Sequence, residues 1–250
     1  MTIARSLGVA LCACALALAG CAQPPKRKDF DPEASARIRT VLVAQAPNQE
    51  SFIAAGGIGL GFSGIGVLDL FLLAAALALA VDQQIKTNQL TAAVDAVQTR
   101  LQDRFSEMLR EGLNAQGYEA SIVVLPSSGE PDQFLPFLRQ QGSAEAALVV
   151  LLDGRVRQAG PKFDYYYPLI SVKAKGFDLV SGAVLYEDTF SYGYPDPQVQ
   201  SWQFSSDAKY RFASIEEMVA DPAKVREAWL AGMRLIADKI LVDVRRKQAP

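Results

Sequence analysis

Residues 52–81, "FIAAGGIGLGFSGIGVLDLFLLAAALALAV", hold one charge, Asp69, in thirty positions, and they interrupt what otherwise reads as one folded unit. The preceding "IRTVLVAQAP" (38–47) is rich in β-branched residues and ends at Pro47, which reads as a strand. Beyond the oily stretch, apolar residues recur at Leu90, Val94, Val97, Leu101, Phe105, Met108, Leu109 and Leu113, an amphipathic helix closed by Gly117. A strand and a helix that pack in one domain lie on the same side of any membrane, so the segment between them cannot cross a bilayer once. Two antiparallel helical arms of about 14 residues reach roughly 21 Å, short of the ~30 Å hydrocarbon core. A shallow re-entrant hairpin meets both conditions.

The second arm, "LFLLAAALALAV", is Leu and Ala and favours helix. In the first arm Ala55, Gly59 and Ser63, with Gly57 and Gly61 beside them, have the small-xxx-small spacing that lets helices approach closely in lipid. Asp69, followed by Leu70 and Phe71, belongs at the bend or at an interface, because a lone charge facing lipid is costly. Gly57, Gly59, Gly61, Ser63, Asp69, Leu70 and Phe71 are therefore the expected contacts with lipid or sibling subunits. Burial of the hairpin against the protein's own sheet is the alternative.

Composition narrows the chemistry. The chain contains no histidine, which excludes Ser-His-Asp and Cys-His nucleophile pairs and removes the commonest general base. A formal charge of -2 provides no basic footprint for nucleic acid. No phosphate-cradling glycine pattern is present, and no cofactor or metal is expected.

The N-terminus reads as a secretory signal: Arg5, an apolar run from Leu7 to Leu18, then small residues before Cys21. Leu18-Ala19-Gly20-Cys21 resembles a bacterial lipobox, which implies removal of residues 1–20 and acylation of Cys21, a palmitate-type lipid anchor. Several acyl chains at ~0.8 kcal/mol per buried CH₂ hold a protein durably on a bilayer. Cys12 and Cys14 leave with the signal, so no internal disulfide forms. Ala22 after the cysteine, in place of the retention-type Asp, favours the outer membrane, with the protein facing the periplasm. Residues 21–37 read as a lipidated linker and 38–250 as one domain carrying the insertion at 52–81.

Further strands are expected at 119–126, at 145–158 (a buried central strand), and where Ile170, Val172 and Ala174 alternate with Ser171, Lys173 and Lys175. The phase slips at Gly176, the signature of a bulge, and Ser181-Gly182 turns the chain into "AVLYEDTFSYGY". A short helix surrounds Phe134, Phe137 and Leu138, and a closing helix starts at Asp221-Pro222 with Val225, Trp229, Met233, Ile236, Ile240 and Val244 on one face. The fold class is α/β, a single mixed sheet with helices packed on it, plus the hydrophobic helical hairpin. With its lipobox, "TVLVAQAP" strand, long first helix and "LVSGAVLYEDTF" before a closing helix, the chain resembles the envelope lipoproteins related to the curli-secretion lipoprotein and the N-terminal domain of the Tol-system periplasmic protein. The resemblance implies an assembly or secretion accessory that forms homo-oligomers or binds an envelope protein partner.

Aromatic residues concentrate between Phe163 and Phe212, and Tyr165, Tyr166, Tyr167 and Trp202 are the candidate partner surface. Glu187 and Asp188, adjacent on a strand, point to opposite faces, which is poor geometry for shared acid/base work. The expected function is a non-enzymatic envelope lipoprotein anchored in the bilayer through Cys21. A glycan-contacting scaffold and a carboxylate-only hydrolase are the alternatives.

Overall fold

The computed structural model describes residues 27–47, 54–55, 84–95, 100–142, 144–159, 164–195 and 202–246. Cys21, Gly57, Gly59, Gly61, Ser63, Asp69, Leu70 and Phe71 lie outside the described residues, as does all of 52–81 except Ala54 and Ala55. The elements are α1 (Pro32–Arg37), β1 (Thr40–Gln45), β2 (Ala54–Ala55), α2 (84–95), α3 (Leu101–Ala115), β3 (Glu119–Val124), a 3-10 turn (Pro131–Phe134) and α4 (Leu135–Leu138). They continue as β4 (Ala146–Ala159), β5 (Tyr165–Asp178), β6 (Val184–Gly193), β7 (Trp202–Ser205), a second 3-10 turn (Ala208–Tyr210), α5 (Ile215–Ala220) and α6 (Pro222–Asp243). The strands form one mixed sheet in the order β3-β1-β4-β5-β6-β7, with β2 also on β4. This is the α/β architecture that the sequence predicts. Among the described residues no helix is long and apolar enough to cross a membrane.

β4 is the spine. It runs antiparallel to β5 from Ala146↔Asp178 to Ala159↔Tyr165. Its first half pairs in parallel with β1, up to Gln45↔Val150, and its far end with β2, at Ala54↔Val156 and Ala55↔Arg157. The chain that enters the oily segment therefore leaves the sheet at the end where β4 finishes and β5 begins. The predicted bulge is present: the β5–β6 register shifts between Gly176 and Phe177. A Cβ on Gly176 would stand 3.2 Å from that of Tyr186, which explains the small residue there. The turn back into β6 contains Gly182 at φ 80°, a conformation that favours glycine.

One face of the sheet carries the main core. Leu90 and Val94 of α2, Leu101, Phe105, Leu109 and Leu113 of α3, and Val225, Trp229, Met233, Ile236 and Ile240 of α6 bury against Val43, Val150, Ile170, Val172 and Phe190. The helical periodicity read from Leu90 onward is thus a real packing face, seen in two stretches. Burying each such side chain is worth about 1.5–3 kcal/mol. On α6, Asp221 accepts from the Lys224 N–H at 3.0 Å and Pro222 begins the helix, as its start signal predicts. The opposite face is covered over the β1 end, where Phe134 and Leu138 meet Leu42, Ala44, Val149 and Phe177.

Among the described residues the β1 register on this edge of β4 ends at Val150 and the β2 register begins at Val156. Between these two stretches the buried Gln102 amide donates to the Leu152 carbonyl at 2.9 Å. Gln45 donates to Asp103 Oδ1 at 2.8 Å. The Oε1 atoms of both glutamines and the Oγ of Ser106 are buried without a hydrogen-bond partner.

Two substitutions test this packing with opposite signs. Ser106→Ala removes an unpartnered buried hydroxyl from a helix interior and should raise unfolding free energy by about 0.5–1 kcal/mol in urea melts. Gly232→Ala should lower it, although alanine is the better helix former by about 1 kcal/mol. Its Cβ would stand 2.3 Å from the buried Tyr192 ring, and overpacking costs ~1–3 kcal/mol or more.

Candidate functional site

The segment from Arg27 to Phe30 is built onto the edge of the sheet. Lys28 forms an antiparallel bridge on the outer edge of β6: its N–H donates to the Glu187 carbonyl at 2.7 Å and its carbonyl accepts from the Glu187 N–H at 2.9 Å. The Lys28 ammonium also donates to the Val184 carbonyl, and Phe30 packs against the main core. Arg27 then meets Trp202, the first residue of β7, which lies above Lys28 on the same edge.

Trp202 is held from several sides. Its indole N–H donates to Asp188 Oδ2 at 2.8 Å. Asp188, 7% exposed, also lies 3.6 Å from the Arg27 guanidinium. The Arg27 guanidinium carbon stands 4.9 Å from the Trp202 ring centroid, and the Lys239 ammonium of α6 stands 4.4 Å from it. Lys239 pairs with Asp243, which accepts from the Tyr186 hydroxyl at 3.3 Å. Burial first, then the Asp243 carboxylate, keeps that hydroxyl protonated far above the ordinary tyrosine range. A charged hydrogen bond is worth about 1.5–3 kcal/mol and an exposed cation–π contact ~0.5–1 kcal/mol. The Trp202–Asp188 bond is thus the strongest part of a clamp that fixes the N-terminal segment to the sheet and to α6.

The structure splits the tyrosine triplet. Tyr166 packs toward the main core and bridges Phe212, with its N–H donating to the Phe212 carbonyl at 2.8 Å. Tyr165 and Tyr167, alternate residues of β5, point to the other face. Tyr167 is buried beside Tyr194, with ring centroids 5.3 Å apart, and the Arg211 guanidinium carbon lies 5.3 Å from the Tyr165 centroid. Trp202 sits on the α6 side of the β6 edge and does not join this group. The tyrosines share their end of the sheet with the exit of the oily segment: Ala55, Arg157 and Tyr167 stand in one row across β2, β4 and β5.

The remaining charged groups serve the fold. Burial opposes the charge on Lys175, but Asp132 at 2.8 Å and Glu187 at 3.4 Å outweigh it and raise its pKa. This pairing explains how a lysine is buried on the face of β5 opposite Val172 and Ala174. At the far end a cavity of about 300 Å³ is lined by Arg37, Glu145, Asp178 and Ser181. Burial opposes ionisation of Asp178, but hydrogen bonds from Ser181 and Val180, with the Arg37 charge, hold its carboxyl below the usual value. The N–H groups of Arg39 and Thr40 lower Glu145 in the same way. Among the described residues no group of three or more His, Cys, Asp or Glu is placed to hold a metal ion. Glu187 and Asp188 serve opposite faces of β6, one on Lys175 and the other on Trp202.

No protein-family model and no curated protein sequence matches the chain. Among solved structures it is similar to protein XCC0632 of family DUF330 from Xanthomonas campestris, with 12% identity, a TM-score of 0.41, and coverage of 87% of this chain and 90% of that one. A single-residue variant of the PelC dodecamer from Paraburkholderia phytofirmans shares 13% identity at a TM-score of 0.35, over 89% of this chain and 97% of that one. A candidate lipoprotein from Caulobacter crescentus CB15 shares 16% identity at a TM-score of 0.26, over 57% and 81% of the two chains.

The clamp makes a direct prediction. Asp188→Ala removes both the indole acceptor and the Arg27 partner, so trypsin should cut after Arg27 or Lys28 several-fold faster than in the unsubstituted protein. Mass analysis of the first fragments reads the outcome; unchanged cleavage there would mean that the main-chain bridge alone holds the segment.

Proposed function

We propose that this chain is an envelope lipoprotein, acylated at Cys21, whose α/β domain works without catalysis as an assembly or secretion accessory at the periplasmic face of the outer membrane. The observation that carries this reading is the clamp. The chain joins the fold at Arg27, six positions after Cys21, and an extended run of that length spans only about 20 Å. An anchor at Cys21 therefore holds the domain against the bilayer and does not let it range through the periplasm. The apolar insertion at 52–81 adds a second contact, with lipid or with sibling subunits, and a homo-oligomer or an envelope protein partner belongs to the same reading. The absence of histidine and the commitment of Glu145, Asp178, Glu187 and Asp188 to structural pairs both favour a binding role.

The test is metabolic palmitate labelling combined with crosslinking in native membranes. Label should enter the unsubstituted protein and be absent from Cys21→Ser, and crosslinking should yield a higher-mass species that Cys21→Ser depletes. Label persisting in Cys21→Ser would overturn the anchor. An acylated protein that stays monomeric and uncrosslinked in its membrane would overturn the accessory role. Residues 52–81 can hold the variant in the membrane fraction, so labelling decides where fractionation does not.

A further inference from the structure

We infer that the domain rests on the bilayer by the end of its sheet where β4 finishes and β5 begins, with Tyr165, Tyr194, Arg157 and Arg211 at the lipid headgroups; this rests on the reading of Cys21 as acylated. Direction comes from the Lys28 bridge. It is antiparallel to β6, so the chain N-terminal to Lys28 heads the way β6 runs, toward Gly193 and Tyr194. Arg27 confirms the heading, since it reaches Asp188 and Trp202, above Glu187 on that edge. The distance fits as well. Six residues from Arg27 back to Cys21 span at most about 20 Å, and the six from Asp188 to Tyr194 rise roughly 20 Å along an extended strand. The tether is thus long enough for Cys21 to reach the level of Tyr194.

The same end releases the apolar stretch at Ala55, in the row of Arg157 and Tyr167. Its side chains suit the headgroup region. Tyr194 is 39% exposed and Tyr165 is half-buried, and tyrosine favours the membrane–water boundary, where its ring is apolar and its hydroxyl wet. Arg157 and Arg211 are exposed there, with Asp164 as the neighbouring acid, and a basic residue near an anionic surface gains about 1 kcal/mol. The opposite end presents Val180, 85% exposed, on the turn where Asp178 pairs with Arg37, and the tether points away from it.

The full-length mature protein, reconstituted in phosphatidylethanolamine–phosphatidylglycerol vesicles containing brominated phospholipid, supplies the test. Tyr194→Cys and Val180→Cys are each labelled with a thiol-reactive fluorophore, alongside the unsubstituted protein, whose only thiol after signal removal is Cys21. Brominated lipid should quench the dye at Tyr194→Cys and leave that at Val180→Cys unchanged, and the unsubstituted protein should take up none. Equal quenching at both positions, or none at Tyr194→Cys because a second copy covers this end, overturns the inference. Dye uptake by the unsubstituted protein reports a free Cys21 thiol and overturns the anchor reading and this one together, an outcome the other failures do not produce.

Discussion

The unbroken pairing of β4 with β5, from Ala146↔Asp178 to Ala159↔Tyr165, is the constraint on which the other elements depend. A strand this long offers more edge than one neighbour covers, so β1 takes its first half and β2 its far end. Between them the buried Gln102 amide donates to the Leu152 carbonyl. Because β1 and β2 share one edge in one direction, Ala54 and Ala55, expected in the first arm of the hairpin, are strand residues of the sheet, and the apolar stretch passes Ala55 at its far end. The helices then have one broad face to cover, and α3 and α6 cover it together.

That face was readable because burial on one side of a helix imposes its own period. Leu90, Val94, Leu101, Phe105, Leu109 and Leu113 step along the sequence as they do along the core, and the same holds for Val225 to Ile240 in α6. Gly176 was readable for another reason: a β-bulge breaks the alternation of Ile170, Val172 and Ala174, and the break shows in the letters. The Asp221-Pro222 start is likewise local chemistry, a capping acceptor and a preset φ.

What stayed hidden depends on partners far away in the chain. The alternation that marks β5 in the sequence begins at Ile170, beyond Pro168, and proline is disfavoured inside a sheet, so Tyr165–Tyr167 carry no strand signal. Here the paired β6 register stops at Ile170↔Tyr192, and the Pro168 carbonyl faces Gly193 beyond it, so the missing N–H falls where the ladder has ended. Trp202–Ser205 is too short to show a period, and β2 is only two residues long. Residues 22–36 have a linker's composition, yet residues 27–30 gain order from Glu187, Asp188 and Trp202, more than 150 positions away. The candidate site was legible as residue types and not as a constellation: Trp202 and the tyrosines were singled out together, and the fold assigns them to different duties.

The bridge at Lys28 has a mechanical side. Its two hydrogen bonds lie across the strand axis, so tension drawn along the N-terminal segment loads both in shear, and neither can be peeled open first. The load passes from Arg27 into Asp188 and the Trp202 ring, and from there through Lys239 and Asp243 into α6. β1, at the root of the parallel pairing, is spared that force. A pull on the N-terminal segment is thus delivered to the edge of β6, which β5 backs along its length, and is shared with α6.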